Sequence, residues 1–347
     1  MKLKAISTCA VLLFSAMAMR GAETNTAATL KQIQAHDRAV YIQNHWMRDP
    51  YITLAPDGWY YLTGTTGADS DGKWNNLLGW RSHDLANWEP LPKLWSLAES
   101  KWISSPATNE AQADQVLKLW APEAHSLNDR WVIVHTTNQR RSNLLLGGAE
   151  LQSPFTEPMG KDFGLRHDPS LFPDNGTNWL VYACAEIVPL KPDFSGFAGP
   201  AVKIGPADRK LGHEGCGIVK IGSKYVLFGT AWSTDSMRKG TYNLYYCTAD
   251  KITGPYGPRK FAGRFLGHGT PFQDKEGRWW CTAFYNANKP SVADDQAGAE
   301  LADTAYTVNR QGTTIVPLDV KVVDGDVDIQ SLDPRYARPG AEEVQKF

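Results

Sequence analysis

HDPSLFPDNGTNWLVYA, running from His167 to Ala183, is the stretch that decides the fold. A charged turn comes first, then a short apolar strand, a DNG break, and an aromatic-rich strand. That order is the signature of a β-hairpin. Four other segments share it: RDPYITLAPDGWYYLTGT from Arg48, WAPEAHSLNDRWVIVHTT from Trp120, HEGCGIVKIGSKYVLFGTAW from His213 and GHGTPFQDKEGRWWCTAFYN from Gly267. The acidic positions Asp49, Glu123, Asp168 and Glu214 follow one another at 74, 45 and 46 residues. A further strand with a Pro- or Trp-containing exit follows most hairpins, so each unit has the size of a propeller blade. The sequence therefore predicts an all-β chain, a single-domain five-bladed β-propeller over residues 41–326. A β-sandwich would not explain why acidic or His-containing turns begin successive hairpins at the same place. In a propeller those turns point at one axial pocket.

The rest of the chain fits around this core. Its 347 residues carry 36 Lys and Arg against 37 Asp and Glu, a net charge of −1, which argues against a nucleic-acid partner. A hydrophobic fraction of 42% with 11% aromatics excludes a disordered chain. Lys2 and Lys4 precede the apolar run Ala5–Met17, and Ala16 and Ala18 supply an Ala-x-Ala cleavage pattern. Residues 1–18 are thus expected to be a signal peptide, the mature protein secreted or periplasmic, and no membrane insertion is expected after cleavage. Residues 19–40 form an N-terminal segment with a helical candidate at Ala27–Val40; a second candidate is Glu110–Leu119. Residues 327–347 are expected as a C-terminal tail. Cys184, Cys216, Cys247 and Cys281 sit in apolar or aromatic stretches and read as buried small hydrophobes, with disulfide pairing left open.

Chemistry is expected at the hairpin mouths. Asp49 and Asp168 each precede proline, which fixes its own φ and biases the residue before it toward extended geometry. Glu214 precedes Gly215, where a glycine allows close packing at the axis. A lone Asp-Pro is usually a turn; three acids recurring in phase suggest an acid beside a base, the pairing that glycoside hydrolysis requires. Trp46, Trp120 and Trp232 are candidate platforms for a sugar ring. Arg48, Glu123, His125 and His167 lie where hydroxyl groups could be held. Specificity is expected from the loops Asp69–Leu77, Ser96–Val116 and Pro189–Pro200.

From Arg48 to Asn286 the chain resembles glycoside hydrolase family 43, five-bladed propeller enzymes that act on arabinose- and xylose-containing glycans. The resemblance of R-D-P-Y-I gives Asp49 the role of general base. That of H-D-P-S-L-F gives Asp168 the role of tuning and orienting the acid, and that of H-E-G gives Glu214 the role of general acid. G-H-G-T implies a His near the axis, so His268 is the candidate to help hold a central ion such as calcium; no cofactor is expected to be required for the chemistry. Gly215-Cys216 departs from the family's Gly-Pro. The preceding His213 is similar to glycoside hydrolase family 117, propellers that release 3,6-anhydro-L-galactose from agar oligosaccharides, where a His in this place is implicated as the acid. The acid thus stays open between Glu214 and His213. The expectation is an exported inverting hydrolase of plant or algal oligosaccharide or polysaccharide fragments, arabinofuranosidase- or xylosidase-like. The alternatives are a 3,6-anhydro-L-galactosidase and a non-catalytic glycan-binding propeller.

Overall fold

A computed structural model describes residues 26–68, 74–102, 117–287 and 305–347. The expected signal peptide lies outside these residues, as does most of the helical candidate Glu110–Leu119, whose Leu119 begins a strand.

The described chain folds as a five-bladed β-propeller. The first blade is Met47–Leu54, Tyr60–Thr66, Trp80–Ser82 and Glu89–Pro90. The second is Leu119–Leu127, Arg130–Thr137 and Ser142–Leu146, and the third is Ser170–Asp174, Thr177–Tyr182, Glu186–Pro189 and Val202–Lys203. The fourth is Glu214–Ile221, Lys224–Trp232, Tyr242–Ala249 and Lys260–Gly263. In the fifth, Pro271–Gln273, Trp279–Ala283 and Thr313–Val323 come from one end of the chain and Val40–Gln43 from the other.

That last pairing closes the ring. Val40 pairs with Ile315 and Tyr41 with Thr314, so the first strand in sequence is the outer strand of the last blade. Asp326–Ser331 pairs along the distal half of Thr313–Val323. The boundaries drawn at 41 and 326 therefore fall inside paired strands that begin at Val40 and end at Ser331. Hairpin patterning reports only neighbours in sequence and is blind to such closure. Residues 26–35 are helical and His36 leaves the helix in a left-handed conformation, φ 50°, a common helix stop. The helix is thus shorter than Ala27–Val40, because Val40 is already a strand residue.

Both faces of each blade are buried, which explains the near-continuous apolar runs. Period-2 alternation sends successive side chains of one middle strand into different inter-blade cores. In the second blade Trp131 and Ile133 face the first blade, whereas Val132 and Val134 face the third. In the fourth, Leu227 faces the third blade, whereas Val226 and Phe228 face the fifth. The remaining core joins Ile52, Leu62 and Trp80 of the first blade to Val40, Trp280 and Ile315 of the fifth. Cys184, Cys216, Cys247 and Cys281 are buried and unbridged in these cores.

Ring closure concentrates at Ile315, which is fully buried and pairs with both Val40 and Thr282. Ile315→Ala is expected to lower the unfolding free energy by about 2–5 kcal/mol, read as a lower denaturant midpoint at unchanged slope. A change below 0.5 kcal/mol would mean that the fifth blade is closed by other contacts.

Candidate active site

One residue at the mouth of each blade adopts a left-handed backbone: Asp49 (φ 52°), Ala121 (43°), Asp168 (47°), Gly215 (60°) and His268 (55°). The sequence predicted extended geometry for the residues before proline, and Asp49 and Asp168 depart from it. At Asp49 the reason is a local bulge, and the same device recurs in two other blades: register shifts interrupt strand pairing between Arg48 and Tyr51, between Trp120 and Glu123, and between Glu214 and Gly217, whereas Asp168 lies just ahead of its strand. Bulges beside active sites re-aim side chains, here toward the axis.

The repeat also corrects the phase. The second-blade counterpart of Asp49 is Ala121, not Glu123, which lies two residues further along. Glu123 is instead buried, accepting from His125 Nε2 at 3.0 Å, while Tyr51 O–H and His125 Nδ1 lie 3.0 Å apart. Glu123 and His125 thus join the first two blades and are absent from the cavity lining described next.

A cavity of about 430 Å³ opens over the axis, lined among others by Trp46, Arg48, Asp49, Trp120, His167, Asp168, Glu214 and His268. His268 Nδ1 lies 3.1 Å from Asp49 Oδ1 and 3.8 Å from Asp168 Oδ2. His167 Nε2 lies 3.3 Å from Asp168 Oδ2 and 3.6 Å from Glu214 Oε2. Gly215 N–H donates to Asp168 Oδ2 at 3.1 Å, and Thr65 O–H donates to Asp49 Oδ2 at 2.7 Å. Tyr242 O–H donates to Glu214 Oε1. Gly215 is required here twice over: its φ is positive, and a Cβ would stand 2.7 Å from the His268 ring.

Three carboxylates and two imidazoles in one site set each other's protonation. Burial favours neutral Asp49, but His268, Arg48 and Thr65 outweigh it and hold its pKa below the ordinary value. Burial dominates at Asp168 and raises it, with the Glu214 and Asp49 charges adding to the effect. Burial also opposes charge on His268, yet Asp49, Asp168 and Glu214 push its pKa up to about 10. His167 is raised by its hydrogen bond to Glu214 and by the Asp168 and Glu214 charges, against burial. Glu214 is held below the carboxylate range despite burial, by the His167 hydrogen bond, the His268 and His213 charges and Tyr242.

Two expected site residues lie beside the cavity rather than in it. His213 and Trp232 line the neighbouring pocket, with His213 Nε2 4.0 Å from Glu214 Oε1. Burial, together with the neighbouring cations His268, His167 and Arg259, holds His213 below its ordinary pKa despite Glu214. Trp232 is buried against Tyr242, ring centroids 4.6 Å apart. It supports the phenol that binds Glu214 and exposes no open face to the axis. Of the three loops expected to shape the cavity, Asp69–Leu77 contributes Trp74, edge-on to Trp46. Residues 103–116 lie outside the described residues, and Pro189–Pro200 supplies none of the lining.

His268, the residue expected to help hold a central ion, has its Nδ1 beside Asp49. Calcium prefers oxygen ligands. His167, Asp168 and Glu214 bring ligating atoms within 4.8 Å of one another and are the described group that could hold a cation.

Sequence reasoning missed three threonines of the second strands. Ala121 N–H donates to Thr65 Oγ1 at 2.7 Å and His268 N–H to Thr230 Oγ1 at 2.7 Å. Thr282 Oγ1 donates to Pro50 C=O at 2.6 Å. Thr65 and Thr230 each secure a mouth residue of the next blade, Thr282 secures the residue after one, and nothing in a β-rich run marks them for this.

A raised His268 pKa predicts a pH-dependent stability. The folded ring binds its proton up to about pH 10, the unfolded one only to about 6.5. The contribution is therefore complete below pH 6.5 and lost as pH rises through the folded value. Wild-type melting temperature should fall from pH 7 to 10 more steeply than that of His268→Asn. Parallel curves for the two proteins would show that the ring is not held protonated.

Comparison with known proteins places this geometry. A family model described as "Glycosyl hydrolases family 43" matches residues 41–321. No curated protein sequence matches. Among solved structures, the GH43 BlXynB protein from Bacillus licheniformis is 19% identical, with a TM-score of 0.62 over 87% of this chain and 59% of that one. The chain thus spans under two thirds of that relative's length. A GH43_1 enzyme from Xanthomonas citri is 15% identical, with a TM-score of 0.59 over 92% of this chain and all of that one. An exo-1,5-alpha-L-arabinanase from a bovine ruminal metagenomic library is 18% identical, with a TM-score of 0.54 over 82% of this chain and 97% of that one. These likenesses speak for the fold, and the family match over most of the chain gives the assignment: this protein belongs to glycosyl hydrolases family 43.

Proposed function

We propose that the protein is an exported, inverting glycoside hydrolase that cleaves arabinose- or xylose-containing fragments of plant or algal polysaccharides. The observation that carries this reading is the convergence of Asp49, Asp168 and Glu214 on one axial cavity. Relatives in sugar chemistry support it: one solved structure is titled an exo-1,5-alpha-L-arabinanase and another a GH43_1 enzyme complexed with xylotriose. Residues 1–18 support export. Among the described residues no helix is long and apolar enough to cross a membrane.

In this reading Asp49, held ionised, takes a proton from water as that water attacks the anomeric carbon. Glu214 delivers a proton to the departing glycosidic oxygen. Its low pKa means that it must regain a proton before each turnover; protonated His167, 3.6 Å away, is placed to return one. Asp168 orients this pair through His167 and the Gly215 N–H. Trp46 and Trp120 offer apolar faces to a sugar ring. No step needs a cofactor. Glu214 is favoured over His213 as the acid because Glu214 lines the cavity and His213 lines the pocket beside it. The same placement disfavours the 3,6-anhydro-L-galactosidase reading, which rests on His213.

Asp49→Asn is expected to reduce turnover by about 10²–10⁴-fold while sugar binding persists. Wild-type protein given aryl arabinofuranosides or aryl xylosides should release product with inverted anomeric configuration by NMR, and neoagarobiose should stay uncleaved. Retention would overturn the single displacement, and undiminished glycan binding without turnover by wild type would favour a glycan-binding propeller.

A further inference from the structure

We infer that the substrate carries an anionic substituent, a carboxylate or a sulfate half-ester, which Lys118 and Arg140 receive at the rim of the catalytic cavity. The inference deepens the hydrolase reading and rests on it for the identity of the sugar.

Charge across the whole chain is balanced, with 36 basic against 37 acidic residues, but the cavity is not. Its lining includes Arg48, Lys118, Arg140 and Arg238, four cations, against Asp49, Asp168 and Glu214. The three carboxylates already have partners within the site in His268, His167, Thr65 and Tyr242. Hydrolysis of a neutral sugar uses Arg48 beside Asp49 but gives Lys118 and Arg140 no task.

Two of the four cations are uncommitted. Neither Lys118 nor Arg140 has an acidic partner among the described residues. Both belong to the second blade, on either side of the turn partner Asn138: Asn138 N–H donates to Lys118 C=O at 3.2 Å, and Arg140 N–H donates to Thr137 C=O at 2.7 Å. The Lys118 ammonium lies 4.8 Å from the centre of the Trp74 ring, which keeps it at the cavity without neutralising it. By contrast, Arg48 is turned over Phe284 at 5.3 Å and helps hold Asp49 ionised.

The same character continues past Met237, which lines both spaces. There a pocket of about 480 Å³ sets Arg209, Lys210 and Arg259 against one described acid, Asp235. The Arg259 Nε and Nη2 are buried without hydrogen-bond partners. A chain of cations from one pocket into the next suits an acidic glycan. Positive potential in a cleft draws anionic ligands in and is weakened by salt.

Binding to catalytically silenced Asp49→Asn protein tests this without turnover. Three ligands are titrated calorimetrically at 20 mM and 500 mM NaCl: xylotriose, xylotriose with a glucuronosyl branch, and xylotriose bearing a sulfate ester. The expected result is an acidic ligand bound about tenfold tighter than xylotriose at low salt, with the advantage shrinking severalfold at high salt. Adding Lys118→Gln or Arg140→Gln should remove most of that advantage. Preference for the glucuronosyl ligand identifies a carboxylate, and preference for the sulfated one identifies a sulfate half-ester. Equal binding of neutral and acidic ligands, a salt-insensitive preference, or a preference that survives both substitutions overturns the inference. Turnover assays on wild type report separately on the hydrolase reading, so either can fail alone.

Discussion

A backbone conformation that L-residues avoid, repeated once per blade, is the constraint on which the site depends. Asp49, Ala121, Asp168 and His268 hold positive φ without being glycine, and Gly215 completes the set. Such a conformation costs about 1–3 kcal/mol per residue, and it persists because the surroundings over-determine it. Thr65 and Thr230 bind the mouth residues Ala121 and His268 of the following blade and Thr282 binds Pro50 next to Asp49, so closure of the ring and the aim of the catalytic candidates have a common cause. Were the ring to open between the fifth and first blades, Pro50 would lose the Thr282 hydrogen bond and Asp49 its alignment with His268.

Electrostatics then follows from what the bulges bring together. Three carboxylates around an axis would repel one another and pull water in. Two imidazoles separate them, one between Asp49 and Asp168, the other between Asp168 and Glu214. The outcome is an uneven distribution of protons: a carboxylate kept ionised at Asp49, a carboxyl with raised pKa at Asp168, and histidines with raised affinity for protons. The residues just outside the cavity matter by contact: Trp232 packs on Tyr242, Tyr242 binds Glu214, and His213 flanks the same carboxylate.

Around this centre the cavity wall also carries basic side chains. The asymmetry lies on the second blade, whose mouth residue is Ala121 and which therefore contributes no acid to the axis. Where the other blades present carboxylate or imidazole, this one presents Lys118 and Arg140 at the rim. The repeat thus differs blade by blade, with carboxylate or imidazole at the axis from the first, third, fourth and fifth and cations at the rim from the second.

Much of this was written locally in the chain. Turn residues such as Pro56-Asp57-Gly58 and Asp174-Asn175-Gly176, followed by alternating apolar strands, determine hairpins through contacts between near neighbours, so five blades were countable from the sequence. Asp49, Asp168, Glu214, His167 and His268 were also visible, because the turn that leads into an inner strand lies near the axis whichever blades flank it. Tertiary structure alone decided the rest. A two-residue offset separates Ala121 from Glu123, and only the bulged register shows which of them is in phase with Asp49. The threonine ties, the pairing of Val40 with Ile315 and the burial of Trp232 and His125 join residues far apart in sequence or turn on side-chain direction. Local propensity carries no information about such pairings, since they exist only after the blades have packed.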